Sequence, residues 1–337
     1  MKKRVVLSGY FGFKNFGDEA ILSVLINKLK EDKHRITVIS SDPQYTKSQY
    51  KHIRSVQTFN IPDIFAAIRK SDVLISGGGS LLQDVTSIKS LFYYQFIIFL
   101  GLLLQKDVII FAQGIGPINN KFGQFATKIL LKSCKYISVR DEKSLELLKN
   151  WDIKADLLCD PIFSTKIPKC KKSNTVAVQL RDFHTMNEDF IDRLAQKICK
   201  DFSDKEIEIY SFQDAIDLQV CEKFQKAVNL LNPSIKTTIY SNLTNDEIIT
   251  RLAGAEYMVA MRFHAIIVGL LAKCKILAIN YDIKVEKLAK EFGLPIIDLK
   301  REFSNQFTEL KNQNSETIYP KVQTKKFDWN GFNHILN

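Results

Sequence analysis

RVVLSGYFGFKNFGDEAILSVLINKLKEDKHRITVIS, residues 4–40, reads as strand, glycine loop, helix, strand. The β-branched runs RVVLS (4–8) and ITVIS (36–40) are short and apolar, and between them residues 18–30 follow a helical period. A strand, a crossover helix and a second strand build a parallel sheet covered by helices. The unit recurs. Strands fit VLIS (73–76), VIIFA (108–112) and YISV (136–139), with helices over 61–70, 88–104, 120–134 and 142–150. DPIFSTKIPKCKKSN (160–174) has two prolines, four lysines and no period, so it reads as a linker.

Beyond it the alternation restarts with TVAVQL (175–180), IEIYSF (207–212), TTIY (237–240), YMVAM (257–261) and ILAIN (276–280). Helices are expected near 187–200, 214–231, 245–253, 264–272 and 284–292. The expected architecture is α/β: two Rossmann-like domains facing a cleft, at 1–160 and 175–320, joined by a linker at 161–174. A tail at 321–337 is expected to pack back on the first domain. No internal repeat supports a solenoid.

Composition agrees with two folded domains. The chain has 337 residues, 45% of them apolar and 25% charged, with 14 Gly and 8 Pro, which excludes a disordered or collagen-like protein. Six cysteines lie far apart, with no C-x-x-C pair and no histidine at zinc spacing, as in a cytoplasmic protein with reduced thiols. The opening MKKRVVLSGYFG lacks the apolar core of a signal peptide, so export is not expected. The longest uncharged stretch, residues 90–105, is 16 residues, short of the ~20 that span a bilayer. A buried helix is expected there, an interfacial helix being the alternative. Residues 1–160 hold +8 of the +11 net charge, which suits phosphates or an anionic membrane face. Nucleic acid is not expected, because no binding motif accompanies the charge.

In parallel sheets ligands bind beyond the carboxyl ends of the strands, so the loops there are the candidate sites. GYFGFKNFGDEA (9–20) offers Gly12, Asn15 and Gly17 without the spacing of a dinucleotide fingerprint. Asp18 and Glu19 are either favourable charges at a helix start or groups that face a sugar hydroxyl. SGGGSLLQD (76–84) frees the backbone N–H groups of Gly77, Gly78 and Gly79 for an anion or a sugar oxygen, and it lacks the Walker lysine. AQGIGP (112–117) adds Gln113 and Gly114, and SVRDEKS (138–144) adds Arg140, a ligand contact or an ion-pair partner.

The second half contributes MRFHA (261–265), where Arg262 and His264 sit at a strand tip and open a helix. A helix N-terminus beside an arginine is an anion site, and imidazole exchanges protons near neutral pH. Arg181 in QLRDF (179–183) and Lys284 in NYDIK (280–284) fall on the same sheet edge, which makes a cationic pocket.

Taken in order, GYFGFKNFGDEAIL (9–22), SGGGSLLQD (76–84), QGIGP (113–117), SVRDEKS (138–144), Asp160-Pro161, MRFHA (261–265) and YDIKV (281–285) resemble the polysaccharide pyruvyl transferases, of the bacterial cell-surface-polymer type called CsaB. The stretches span nearly the whole chain. Ile283 departs from the proline expected between Asp282 and Lys284. The resemblance implies a GT-B-like fold, phosphoenolpyruvate as donor and a pyruvate ketal formed on a glycan or lipid-linked saccharide. It also implies an acceptor site mainly on the first domain and a donor site mainly on the second. On that reading His264 is the acid/base, and Arg262 and Lys284 clamp the donor with Arg140 and Arg181. Asp18 or Glu19 orients the acceptor hydroxyl, and no cofactor or metal takes part. The alternatives are a glycosyltransferase using a nucleotide sugar and a non-catalytic cell-wall-polymer binder. No acidic pair suited to a ribose stands out at the helix starts of the second half. Expected localisation is cytoplasmic, with peripheral attachment to the inner membrane face.

Overall fold

Residues 4–40 form β1 (Arg4–Ser8), α1 (Phe16–Glu31) and β2 (Arg35–Ser40) in a computed structural model that describes residues 2–184, 186–303 and 305–336, without the side chain of Ser315. The same alternation continues through α2 (Pro43–Gln49), β3 (Arg54–Gln57), α3 (Ile61–Arg69), β4 (Val73–Gly77) and α4 (Ile88–Leu103). It ends in β5 (Asp107–Gln113), α5 (Lys121–Lys132), β6 (Tyr136–Val139), α6 (Glu142–Asn150) and β7 (Asp156–Leu157). All pairings are parallel, in the order β3-β2-β1-β4-β5-β6-β7. Val5 of β1 stands opposite Ile36 on one side and Val73 on the other, so the central strands are buried on both faces.

A second sheet is built from β8 (Thr175–Gln179), α7 (Glu188–Asp201), β9 (Glu206–Tyr210), α8 (Asp214–Leu231), β10 (Thr237–Tyr240) and α9 (Asn245–Gly254). It continues with β11 (Tyr257–Ala260), α10 (Phe263–Leu271), β12 (Lys275–Asn280), α11 (Ile283–Phe292) and β13 (Ile296–Asp298), followed by α12 (Gln306–Lys311) and α13 (Ser315–Thr324). Its order is β10-β9-β8-β11-β12-β13. Each sheet reverses direction beside its first strand, so the loops after β1 and β4, and after β8 and β11, diverge at a switch point.

Two units result, one running to Ser164 and resuming at Lys326, the other spanning Thr165–Lys325. The expected linker therefore shrinks. Pro161, Ile162 and Phe163 form a buried 3-10 turn in the first unit. Lys172 donates to the carbonyls of Ala253, Ala255 and Ala272 in the second, at 3.1, 2.7 and 2.7 Å. After α13 the chain forms α14 (Asn330–Leu336), where Phe332 joins Phe327 and Trp329 around Phe111 of β5. Met1 of the expected first domain and Asn337 of the expected tail lie outside the described residues.

The expectation of a buried helix at 90–105 holds for one face of α4. Leu91, Tyr94, Ile97, Ile98 and Gly101 point into the core, whereas Phe92, Phe96, Phe99 and Leu103 are exposed. No helix among the described residues is long and apolar enough to cross a membrane.

Candidate functional site

In the first unit the loop after β1 folds back on its own helix. Asn15 caps α1 by accepting from Gly17 N at 3.0 Å. Glu19, in the first turn and 2% exposed, turns inward. Its carboxylate accepts from Gly12 N at 2.6 Å and from Lys14 N, and burial pushes its pKa up to about 8. Gly12 is required here: its φ is +78°, and a Cβ would lie 2.1 Å from Ser40 Oγ. Glu19, expected beside an acceptor hydroxyl, is thus turned into its own loop, buried and bonded to two loop amides.

Asp18 is the acid that reaches the neighbouring loop. A Cβ on Gly79, whose φ is +79°, would stand 2.8 Å from Asp18 Oδ1. The loops after β4 and β5 are laced together by Gly114 N to Gly79 O at 2.9 Å and Gly116 N to Leu82 O at 2.8 Å. Gln113 lies beneath them, fully buried, with Nε2 donating to Ser76 Oγ at 2.8 Å. Its Oε1 has no partner among the described residues. Gly77 and Gly78 pack closely on Phe11, Leu25 and Ile21, so they serve packing. Arg140 is held by Asp160, Nη1 to Oδ2 at 2.6 Å, and its Nη2 lies 3.4 Å from Ser80 Oγ. Asp160 also accepts from Ile162 N at 3.0 Å, so Arg140 ties the loop edge to the 3-10 turn. Asp18, Gly79, Ser80, Gly114 and Arg140 thus gather from four loops onto one sheet edge.

In the second unit the decisive contact is one that sequence reading missed. Arg262, the residue preceding α10, is 8% exposed, and its guanidinium is engaged edge-on by Asp217 of α8. Nε donates to Oδ2 at 2.9 Å and Nη2 to Oδ1 at 2.7 Å. Asp217 also accepts from Phe212 N and Gln213 N, both at 3.1 Å. Burial raises the Asp217 pKa, and Arg262 opposes that shift. Arg262 N in turn donates to Gln179 Oε1 at 2.7 Å. The arginine is a brace joining β8, α8 and the start of α10. Of the fork expected to grip the donor, the Nε–Nη2 edge is engaged by Asp217.

Arg181 is a second cation on this sheet edge. It follows β8, lies over the Tyr281 ring at 5.7 Å and is close enough for its charge to act on Asp217. Its Nε is buried without a hydrogen-bond partner among the described residues. His264 is half-buried in the first turn of α10, edge-on to Phe263. Lys284 is exposed in the first turn of α11, which Asp282 caps through Lys284 N at 2.8 Å.

Acidic pairs do open helices of this unit: Glu188 and Asp189, Asp214 and Asp217, Asp246 and Glu247. Several already have work. Asp217 holds Arg262, Asp214 accepts from Ser211 and from Asn242 N, and Glu247 closes a capping box with Thr244. Among the described residues no group of three or more His, Cys, Asp or Glu is placed to hold a metal.

The sequence profile of the polysaccharide pyruvyl transferases matches residues 15–283, from the cap of α1 to the start of α11. The chain belongs to that family. It is therefore a transferase, and its family's acceptors are polysaccharides. No curated protein matches the sequence.

Solved structures similar to this pyruvyl transferase include the UDP-GlcNAc 2-epimerase of Methanocaldococcus jannaschii, at a TM-score of 0.62 and 12% identity over 96% of this chain and 99% of that one. A glycosyltransferase from Rickettsia africae ESF-5 gives 0.64 and 13% over 100% and 98%. The UDP-GlcNAc 2-epimerase of Neisseria meningitidis, bound to UDP-GlcNAc, gives 0.63 and 9% over 98% of each chain. At these identities the likeness speaks for the fold, which is of the GT-B type.

Proposed function

We propose that this pyruvyl transferase takes phosphoenolpyruvate as donor and builds a pyruvate ketal across two hydroxyls of a cell-surface saccharide or its lipid-linked precursor. The observation that carries the reading is the cationic end of the second sheet. There a buried Nε on Arg181 without a partner among the described residues, a helix start fixed by the Arg262 brace, and His264 in that helix's first turn share one edge. A small dianion with a carboxylate and a phosphate suits such a site.

The chemistry follows from the donor. A proton goes to the methylene carbon, the adjacent carbon becomes electrophilic, and an acceptor hydroxyl adds there. Phosphate leaves with the C–O bond electrons, and a second hydroxyl closes the ring, so donor and diol give ketal and inorganic phosphate without redox change. His264 supplies or removes the proton. Arg181 binds the donor, assisted by Lys284, while Arg262 holds the start of α10 in place. Asp18, on the first unit, orients the acceptor hydroxyl, and Glu19 keeps the loop that carries it in shape. Arg140 supports the acceptor-side loops through Asp160.

The test is thermal stabilisation by phosphoenolpyruvate compared with UDP-GlcNAc. A rise in Tm with phosphoenolpyruvate alone supports the reading. A rise with UDP-GlcNAc alone replaces phosphoenolpyruvate with a nucleotide-sugar donor, and no rise with either removes phosphoenolpyruvate as the ligand of this site.

A further inference from the structure

The outer faces of α4 and α5 expose an aromatic surface that no other element covers among the described residues. Phe92, Phe96, Phe99 and Leu103 fall on one side of α4, at the spacing that keeps side chains in line on a helix. On α5, Phe122, Phe125 and Ile129 are 68%, 61% and 50% exposed. The two stripes meet where the Phe92 and Phe122 rings stand 6.1 Å apart. Phe59, 71% exposed and 4.8 Å from Tyr93, extends the surface toward α3.

The two helices are tied together beneath this face. Gln95, buried between the helices, donates from Nε2 to Gly123 O at 2.7 Å and to Thr127 Oγ1 at 2.6 Å. Single exposed apolar residues are ordinary, whereas a continuous aromatic face of this kind marks an interaction surface.

Charge chooses the occupant. Helices α4 and α5 carry Lys89, Lys121, Lys128 and Lys132 and no Asp or Glu, and between Asp84 and Asp141 the sole acidic residue is Asp107. A second copy of the chain docking through this face by two-fold symmetry would set lysines against lysines, while Asp84, beside the start of α5, is already held by the Asn119 and Asn120 amides. An anionic lipid surface offers both complements, phosphates for the lysines and an apolar boundary for the phenylalanines. With 16 residues, α4 suits lying in that boundary and not crossing it.

We propose that the α4–α5 face docks on the surface of an anionic lipid bilayer, with the phenylalanine stripe entering the headgroup layer and the flanking lysines meeting lipid phosphates. Nothing in the pyruvyl-transfer reading requires this, so the two stand or fall separately.

The experiment is co-sedimentation of the full chain with vesicles of phosphatidylglycerol and phosphatidylcholine, against phosphatidylcholine alone, across a sodium chloride series. The wild type pellets with the anionic vesicles at low salt and is released as salt rises. The double variant Phe96→Ser with Phe125→Ser, and the triple variant Lys89→Gln, Lys121→Gln and Lys132→Gln, each lower the partition coefficient by at least about tenfold, with melting temperatures unchanged. Wild type remaining in the supernatant overturns the proposal, as does undiminished binding by a variant that melts normally. A wild-type dimer that the phenylalanine variant dissolves, without vesicle binding, would assign the face to a second copy instead.

Discussion

The carboxylate of Asp217 takes one whole edge of the Arg262 guanidinium, at 2.7 and 2.9 Å, in a position with no exposed surface. Two residues 45 positions apart are thereby locked across α8 and the start of α10. This pair, with Arg262 N bonded to Gln179 Oε1, ties the start of α10 to β8 and α8.

Removing that carboxylate leaves a buried guanidinium uncompensated. Asp217→Ala is expected to lower stability by about 3–5 kcal/mol in urea unfolding and to weaken phosphoenolpyruvate binding through disorder at the start of α10. Tighter donor binding in a folded Asp217→Asn variant would instead show that Arg262 is a clamp which Asp217 restrains.

Arg181 has the opposite profile. Its Nε has no hydrogen-bond partner among the described residues, so Arg181→Gln should melt like the wild type while its donor Kd rises roughly 10- to 100-fold, read by calorimetry. An unchanged Kd would move the anion contact to Lys284.

His264→Ala tests the proton step. Turnover should fall roughly 10²- to 10⁴-fold with donor affinity largely kept. A folded variant with near-normal turnover removes His264 from the chemistry.

Glu19 gives stability a pH signature. Its folded pKa of about 8 lies above the ordinary glutamate value, because burial disfavours the charged form. Between those two values the folded state holds a proton that the unfolded state has lost. Its contribution is therefore complete below the ordinary value and lost as pH rises toward about 8, with a slope of at most about 1.4 kcal/mol per pH unit. Glu19→Gln should flatten that decline in denaturation curves taken from pH 5 to 8. An identical decline in the variant would show that Glu19 is already ionised in the folded protein.

Both sheets were legible because RVVLS, VIIFA and ILAIN are central strands buried on two faces, which makes them short uniform apolar runs. The edge strands β3 (RSVQ), β7 (DL) and β13 (IID), and the polar helix α2 (PQYTKSQ), carry no such signal and were not read. The glycine loops were found from strand ends alone. What each side chain does there was not, since Asp217 meets Arg262 only once β8 is seated between β9 and β11. Asp18 and Glu19 are adjacent in sequence, yet a helix turns neighbours about 100° apart, sending one carboxylate into its own loop and the other toward Gly79. The Phe92, Phe96, Phe99 stripe was hidden for a related reason: every position of residues 90–105 is uncharged, so the pattern could not show which face the core would take.

The most direct measurement incubates the protein with phosphoenolpyruvate and a lipid-linked or soluble saccharide acceptor, and follows phosphate release together with the mass of the acceptor. The account predicts one phosphate released for each acceptor that gains a pyruvate less one water, with both signals lost in His264→Ala. Acceptor mass that rises by a sugar from UDP-GlcNAc, with phosphoenolpyruvate left untouched, would contradict it.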